Sequence, residues 1–504
     1  MNSANALPAP SLRSPVAHPL VWLLALCLAH VVARVAVSPA LKWDEAEQIL
    51  WSQHLAWGYG AQPPLYTWLQ WGMNQVFGPS VLSLSLLKHG LLALTYALMY
   101  LAGRELLGPR GAWWASASML LLPALGWYSV RDQTHTILVT AMTGGAWWLL
   151  FRIVRRPRPL DFAWLGLICA CGVLAKYSFV MVIGAMLLAA LSVAESRRAL
   201  LSRGWWLAPL VGVLVVAPHA LWLFQHLHEA TAGTLSKMQI QPERGLVKGL
   251  IALVDGLAGM LALFALVALW AFRKAWWKKP VAPAVPWAQR VLWRYLALTL
   301  LALLGMVVVA GVTSFKGRWL LPLLCVVPLA AFAARPELQE HPRAGRYTGA
   351  IVAIALVLLL AAGVRPWFSG ARGDTDELNH DARALAGQLM DKGYDRRSPI
   401  IAADHMLGGM LRTRFPQAEV YACNADEQDV ARCVARLTAR AQAGGEGWLL
   451  ISRADRLEPH WWSTVLAAIG PQNRQVIELP FRMVRAGTPP AHYDYVWHPA
   501  ARQP

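Results

Sequence analysis

The sequence predicts a polytopic α-helical membrane protein with about eleven transmembrane helices and a small C-terminal extracytoplasmic α/β domain. Three observations carry that reading. Of the 504 residues, 57% are hydrophobic and only 15% are charged, where soluble domains carry about a quarter charged residues. The apolar residues gather in blocks near the roughly 17–25 residues that cross a bilayer as a helix. Lys and Arg concentrate in alternate connections between the blocks, and beyond about residue 368 the charges return and the apolar runs shorten.

In chain order the predicted spans are 19–37, 81–103, 112–130, 136–151, 162–175, 177–194, 205–224, 250–272, 293–312, 318–334 and 348–365. The first, "LVWLLALCLAHVVARVAV", holds His30 and Arg34 and lacks a small-residue cleavage site, so it reads as an uncleaved span. The arginine-rich connections hold Arg104 and Arg110; Arg152, Arg155, Arg156 and Arg158; Arg197, Arg198 and Arg203; Arg273, Lys274, Lys278 and Lys279; and Arg335, Arg343 and Arg346. The positive-inside rule makes this set cytoplasmic. Two short spans turning at "AKYS" keep the set on one side, and the 38–80 loop, Lys176, Lys316 and the tail then face outward.

Residues 1–368 are thus expected to form the transmembrane domain and 369–504 a soluble one, with alternating strands ("SPIIAAD", "GWLLIS") and helices ("DEQDVARCVARLTARAQ", "HWWSTVLAAIG"). Cys27, Cys169, Cys171 and Cys325 fall in spans, whereas Cys423 and Cys433 lie in the exported tail, where a disulfide can form. The formal charge of +18 is accounted for by the cytoplasmic loops and the tail arginines. No basic patch joins a nucleic-acid recognition motif, so a nucleic-acid partner is not indicated.

The 38–80 loop, "KWDEAEQILWSQHLAWGYGAQPPLYTWL" from Lys42 to Leu69, is too long and too apolar for a plain connector. "DEAEQILWSQHLAW" reads as a short amphipathic helix on the outer membrane surface, with Trp57 at the interface. A turn and a second short helix opened by Pro follow. Asp44 reads either as the helix N-cap, with Glu47 completing a capping box, or as a catalytic acid.

The same stretch resembles the first outer loop of polyprenyl-phosphate-sugar-dependent glycosyltransferases of the C-type fold, relatives of protein O-mannosyltransferases and of the lipid A aminoarabinose transferase. Asp44 and Glu45 match that family's acidic pair, and Pro63, Pro64 and Leu65 match the block that closes its loop. "YSVRDQTHT" resembles its second outer loop, with Asp132 at the acidic position; "LAKYSFVMVI" its lysine turn, at Lys176; and "TSFKGRWLLPLL" a late basic segment, at Arg318. The similarity runs over roughly the first 340 residues. Gln62 stands where the aminoarabinose branch often has Lys before Pro-Pro, a departure from that branch.

The resemblance implies an inverting glycosyltransferase of the bacterial inner membrane. It would take a sugar from polyprenyl (undecaprenyl) phosphate and pass it, on the periplasmic face, to a lipid A, glycan or protein acceptor. Asp44 and Glu45 would be the catalytic acids. A leaving phosphate calls for fixed cations, and Lys176, Arg318, Lys316 and Arg131 are the outward candidates. Asp132, Tyr59, Gln62 and Tyr66 would contact substrate, the aromatics by stacking on sugar faces. Arg131 also stands beside Asp132 and would neutralise it. His135, His219, His226 and His228 leave a divalent metal open as a cofactor, without a ligand spacing that specifies one. The rival reading is a transporter or flippase of lipid-linked sugars. That would place ionisable groups at mid-membrane in inverted repeats; here most charges sit at span ends and no repeat is visible.

Overall fold

The computed structural model describes residues 17–227, 245–278, 283–424, 429–453 and 460–500. Helix α1 (Ala17–Val37) leads into two short helices, α2 (Trp43–Trp51) and α3 (Leu65–Phe77), before the long α4 (Val81–Arg104). Then follow α5 (Pro109–Ala117), α6 (His135–Arg155), α7 (Pro159–Ala175), α8 (Phe179–Ser192), α9 (Ala194–Leu200), α10 (Leu207–Gln225), α11 (Gly245–Phe272) and α12 (Pro286–Val308). Helices α13 (Gly317–Leu324), α14 (Val327–Ala334) and α15 (Ala344–Ala371) complete the bundle.

Each predicted apolar block is largely helical. Among the described residues eight helical stretches are long and apolar enough to cross a membrane, and a ninth if the bent pair α8–α9 counts as one. The chain is a multi-pass membrane protein. The 112–130 block departs from a simple span. Helix α5 stops at Ala117, a tight 3₁₀ turn covers Ser118–Leu121, and a wide π-turn covers Ala124–Tyr128. Gly126 permits this, because a Cβ there would lie 2.0 Å from the Leu120 carbonyl oxygen. The widened turn re-aims the chain just before Arg131 and Asp132. Around α4, which packs on α1, α5 and α6, the core is filled by large side chains such as Trp114, Trp147 and Tyr295.

The tail contributes α16 (Ala382–Asp391), β1 (Ile400–Ala402), α17 (His405–Arg414), β2 (Val420–Ala422), α18 (Val430–Ala443), β3 (Trp448–Arg453), α19 (Trp461–Ile469), β4 (Gln475–Leu479) and β5 (Ala491–His498). The five strands lie in the order β2-β1-β3-β5-β4. β1 runs parallel to β2 and β3, whereas β5 is antiparallel to β3 and β4. A Cys423–Cys433 disulfide ties the end of β2 to α18.

Helix α2 differs from its expected place on the membrane surface. Its apolar face, Ala46, Ile49 and Leu50, is buried in one cluster with Met406, Leu407, Met410 and Leu411 of α17. A Cβ on Gly409 would stand 2.6 Å from the Cα of Ala46, so the two helices touch backbone to backbone. The helix also stops at Trp51, leaving His54, Leu55 and Trp57 in an exposed turn. An apolar stripe on a short helix is equally well satisfied by a protein surface as by lipid.

The arginine-rich connections converge at one end of the bundle. Arg110 donates to the Gln339 carbonyl at 2.7 Å, Arg155 pairs with Glu105 at 3.0 Å, Arg290 with Glu195 at 2.6 Å, and Arg335 donates to the Lys278 carbonyl at 2.7 Å. Asp132, Lys176 and Arg318 gather around Asp44 on α2, whose Ala46, Ile49 and Leu50 face packs against the tail.

Candidate active site

Helix α2 starts two residues earlier than an Asp44 cap would have it. Lys42, in extended conformation, is the N-cap, and its N–H donates to the Glu45 carboxylate at 3.1 Å. Asp44 therefore caps nothing, and the expected capping box with Glu47 is not formed. The reason is Glu45, which reaches back to the cap N–H from the third helical position.

The two adjacent acids have different surroundings. Glu45 is completely buried and accepts from Arg34 at 2.6 and 3.3 Å, from Lys88 at 3.0 Å and from the Lys42 N–H. Though burial opposes ionisation, the two cations and these hydrogen bonds hold its carboxyl well below the usual range. Asp44 makes no hydrogen bond or close ion pair with the described residues. Burial pushes its pKa up to about 6, against the pull of Arg318, Lys88 and Lys176 and with the push of Asp132. Glu45 is consumed in holding α2 to α1 and α4, whereas Asp44 keeps free lone pairs beside two cations.

Those cations come from opposite parts of the chain. Lys176, at the turn between α7 and α8, donates to Thr136 Oγ1 at 3.0 Å and to the Arg318 backbone carbonyl at 3.3 Å. Burial and the neighbouring Arg318 lower its pKa to about 7, although Asp44 opposes the shift. Arg318, in the first turn of α13, is half-buried and its guanidinium makes no hydrogen bond with the described residues.

A chain of hydrogen bonds fixes α2 relative to the Lys176 turn. His135 donates from Nδ1 to the Ala175 carbonyl at 3.2 Å, which leaves Nε2 to accept from the Gln48 amide at 3.1 Å. The Gln48 carbonyl oxygen accepts from Thr67 at 2.9 Å. Gln48, Thr67, Thr136 and Lys88 carry no motif. Only Lys88 has a signal in the sequence, a lysine inside an apolar span.

The remaining candidates fall at different distances from this centre. Asp132 lies within electrostatic range of Asp44 and pairs with Arg131 at 3.6 Å, as their adjacency led one to expect. Arg131 also lies over the Trp127 ring at 5.4 Å. Lys316 is exposed, above the Trp319 ring at 5.9 Å. Tyr66 is fully buried with its ring 5.3 Å from His135, so it has no face open to a sugar; the Pro63-Pro64 bend turns it inward. Tyr59 donates to the His54 carbonyl at 2.7 Å, accepts from the Ala56 N–H at 2.9 Å, and pairs backbone to backbone with Gln62. These two close the loop on itself around Gly60, which sits at φ +59°.

His219 donates to the Trp57 carbonyl at 2.5 Å and stacks between Tyr177 and Trp222, and His226 stacks on Trp222 in turn. They clamp the 54–60 loop rather than converge on a point, and His135 is engaged elsewhere. Among the described residues no three His, Cys, Asp or Glu side chains form a metal-ligand group, and His228 lies outside them.

The helical membrane body thus carries a free carboxylate beside two cations, on a helix that also packs against the α/β tail. Residues 61–222 match the family model described as dolichyl-phosphate-mannose-protein mannosyltransferase. The chain is 32% identical over 409 residues to lipopolysaccharide core galacturonosyltransferase RgtB of Rhizobium johnstonii, covering 78% of this chain and 81% of that one. It is 29% identical over 480 residues to RgtA of the same organism, also named a lipopolysaccharide core galacturonosyltransferase, covering 92% and 94%. The fold matches ArnT from Cupriavidus metallidurans, solved with undecaprenyl phosphate, with a TM-score of 0.57 at 13% identity over 95% of this chain and 98% of that one. The chain belongs to the polyprenyl-phosphate-sugar-dependent membrane glycosyltransferases.

Proposed function

We propose that the chain transfers a galacturonosyl residue from a polyprenyl phosphate to a hydroxyl of lipopolysaccharide, on the periplasmic face of the bacterial inner membrane. The observation that carries this is the unpartnered Asp44 carboxylate beside Arg318 and Lys176. The sugar and the acceptor are taken from the names of RgtA and RgtB.

In this reading the donor's lipid tail stays in the bilayer and its phosphate meets Arg318 and Lys176. Asp44 takes the proton of the acceptor hydroxyl. The oxygen attacks the anomeric carbon, the bond from that carbon to the phosphate oxygen breaks, and polyprenyl phosphate leaves with the electron pair. Attack opposite the leaving group inverts the anomeric centre. Arg318 and Lys176 stabilise the phosphate charge as it develops. Glu45 positions α2 and takes no proton. Asp132 sets the field at Asp44, and the 54–62 loop walls the site.

The test is transfer from a synthetic polyprenyl-phosphate galacturonate to lipopolysaccharide by the purified chain. Asp44→Asn, which does not disturb the Lys42 cap, should fold normally and lose roughly 10²–10⁴ in rate, the range of a positioned base. Near-wild-type turnover would end the assignment. Mass spectrometry of lipid A and core from cells with and without the gene identifies the sugar and its acceptor; unchanged masses would end the lipopolysaccharide reading.

A further inference from the structure

We propose that the 376–379 segment, at the root of the tail, is a latch that positions Asp44 through Lys42, so that the tail is part of the catalytic machinery. The inference rests on the reading of Asp44 as the base. Asp44 has no hydrogen bond of its own with the described residues, so its carboxylate stands where α2 puts it. The N-terminus of α2 is held at two neighbouring points. Glu45 ties it to the membrane body through Arg34 and Lys88. Lys42 ties it to the tail: its buried ammonium contacts Asp376 and, at 2.7 Å, Glu377.

The latch is itself fixed. Asp376 pairs with Arg365 on α15 at 2.7 Å and caps the turn that follows by accepting from the Leu378 N–H. Ser38 donates to the Leu378 carbonyl at 2.6 Å, across 340 residues of sequence. Asn379, fully buried, donates to carbonyls of Pro366 and Arg482. Chain before α2, the end of α15 and the tail therefore meet at one knot beside the Asp44 helix. Farther along, α17 presses on α2 at Gly409 and Ala46, and the Trp43 ring lies 5.8 Å from His405. The body and the tail thus set the base jointly. Lys42 and Asp376 are positioning residues, since neither needs to touch substrate.

The experiment uses the full chain in lipid nanodiscs, with Lys42→Met, Lys42→Arg, Gly409→Ala and Asp44→Asn. Transfer kinetics are measured beside binding of undecaprenyl phosphate alone. Gly409→Ala drives a methyl against Ala46 without touching a charge. Lys42→Met and Gly409→Ala should each lower kcat by about 10- to 100-fold, as a misplacement near 1 Å does, with lipid-phosphate binding intact. Lys42→Arg should restore most of the rate, and the acid limb of the pH profile should move in the two impaired variants. Loss of lipid-phosphate binding together with rate would mean that the knot only holds the fold, and would overturn the proposal. Full rates in Lys42→Met and Gly409→Ala beside an inactive Asp44→Asn would overturn the latch alone. An active Asp44→Asn would overturn the base reading and the latch with it.

Discussion

Asp44 and Lys176 titrate from opposite directions toward neutrality, and that sets an expected pH profile. In the proposed mechanism transfer needs Asp44 ionised, so kcat/KM should fall as pH drops through about 6. It needs Lys176 charged to meet the phosphate, so kcat/KM should fall again as pH rises through about 7. The bound donor is an anion, which favours protonation of both groups, so both limbs of kcat should lie at higher pH than those of kcat/KM. A flat profile between pH 5 and 8 would contradict both roles. Arg318 is tested separately. A charge-assisted phosphate contact contributes about 1.5–3 kcal/mol, so Arg318→Ala should weaken donor use by about ten- to hundredfold. Arg318→Lys should recover only part, because it lacks the planar fork; unchanged donor KM in Arg318→Ala would remove it from the site. The charges near Asp44 were legible because each stands beside an apolar run. The group that aligns them was not: Gln48 meets His135 across 87 residues and Lys176 meets the Arg318 carbonyl across 142. No local pattern records such partners.

Helix α2 illustrates what periodicity fixes and what it leaves open. The spacing in "DEAEQILW" makes a helix with one apolar face, but the same face suits lipid or protein, and here α17 covers it. The cap was likewise ambiguous. The sequence suits an Asp44 cap with Glu47 turning back, but buried Arg34 and Lys88 select Glu45 as the group that turns back, and the cap moves to Lys42. That selection has an energetic consequence. Removing the charge of Glu45 leaves two cations, 10% and 1% exposed at their side chains, without a counter-ion. Breaking a buried pair from one side typically costs about 3–5 kcal/mol, so Glu45→Gln should lower the thermal unfolding midpoint sharply, while Asp44→Asn should not. Equal midpoints for the two variants would refute the division of labour between the acids. The broken 109–131 segment shows the opposite limit. Its composition reads as one span, and only the close approach of Gly126 to Leu120 reveals the π-turn.

At the scale of the whole molecule, the alternation of basic and non-basic connections was readable without any contact, because Lys/Arg bias follows membrane sidedness rather than packing. The contacts of Arg110, Arg155, Arg290 and Arg335 gather the basic set at one end. The tail sits with the 38–80 loop: His54 reaches Glu419 at 3.0 Å and Gln53 donates to the Val420 carbonyl at 2.8 Å. The tail's strands β1 and β3 were legible as short continuous apolar runs, whereas the edge strands β2 and β4 and the inner strand β5 were not, since β2 is only partly buried and polar residues interrupt β4 and β5. Two sites then test the sidedness. Gly60 lies in the 54–62 turn and Gly445 in the tail, after α18, each in a positive-φ turn with open space around the Cα. Single cysteines placed there on a background with Cys27, Cys169, Cys171 and Cys325 replaced should both react with a membrane-impermeant maleimide in intact spheroplasts. A cysteine in the Arg152–Arg158 connection should react only after the membrane is opened. Labelling of Gly60→Cys and Gly445→Cys on opposite sides would contradict the packing of α2 against α17. Labelling of both only after permeabilisation would keep the fold but invert it, and would place Asp44 on the cytoplasmic side, away from a periplasmic lipopolysaccharide acceptor.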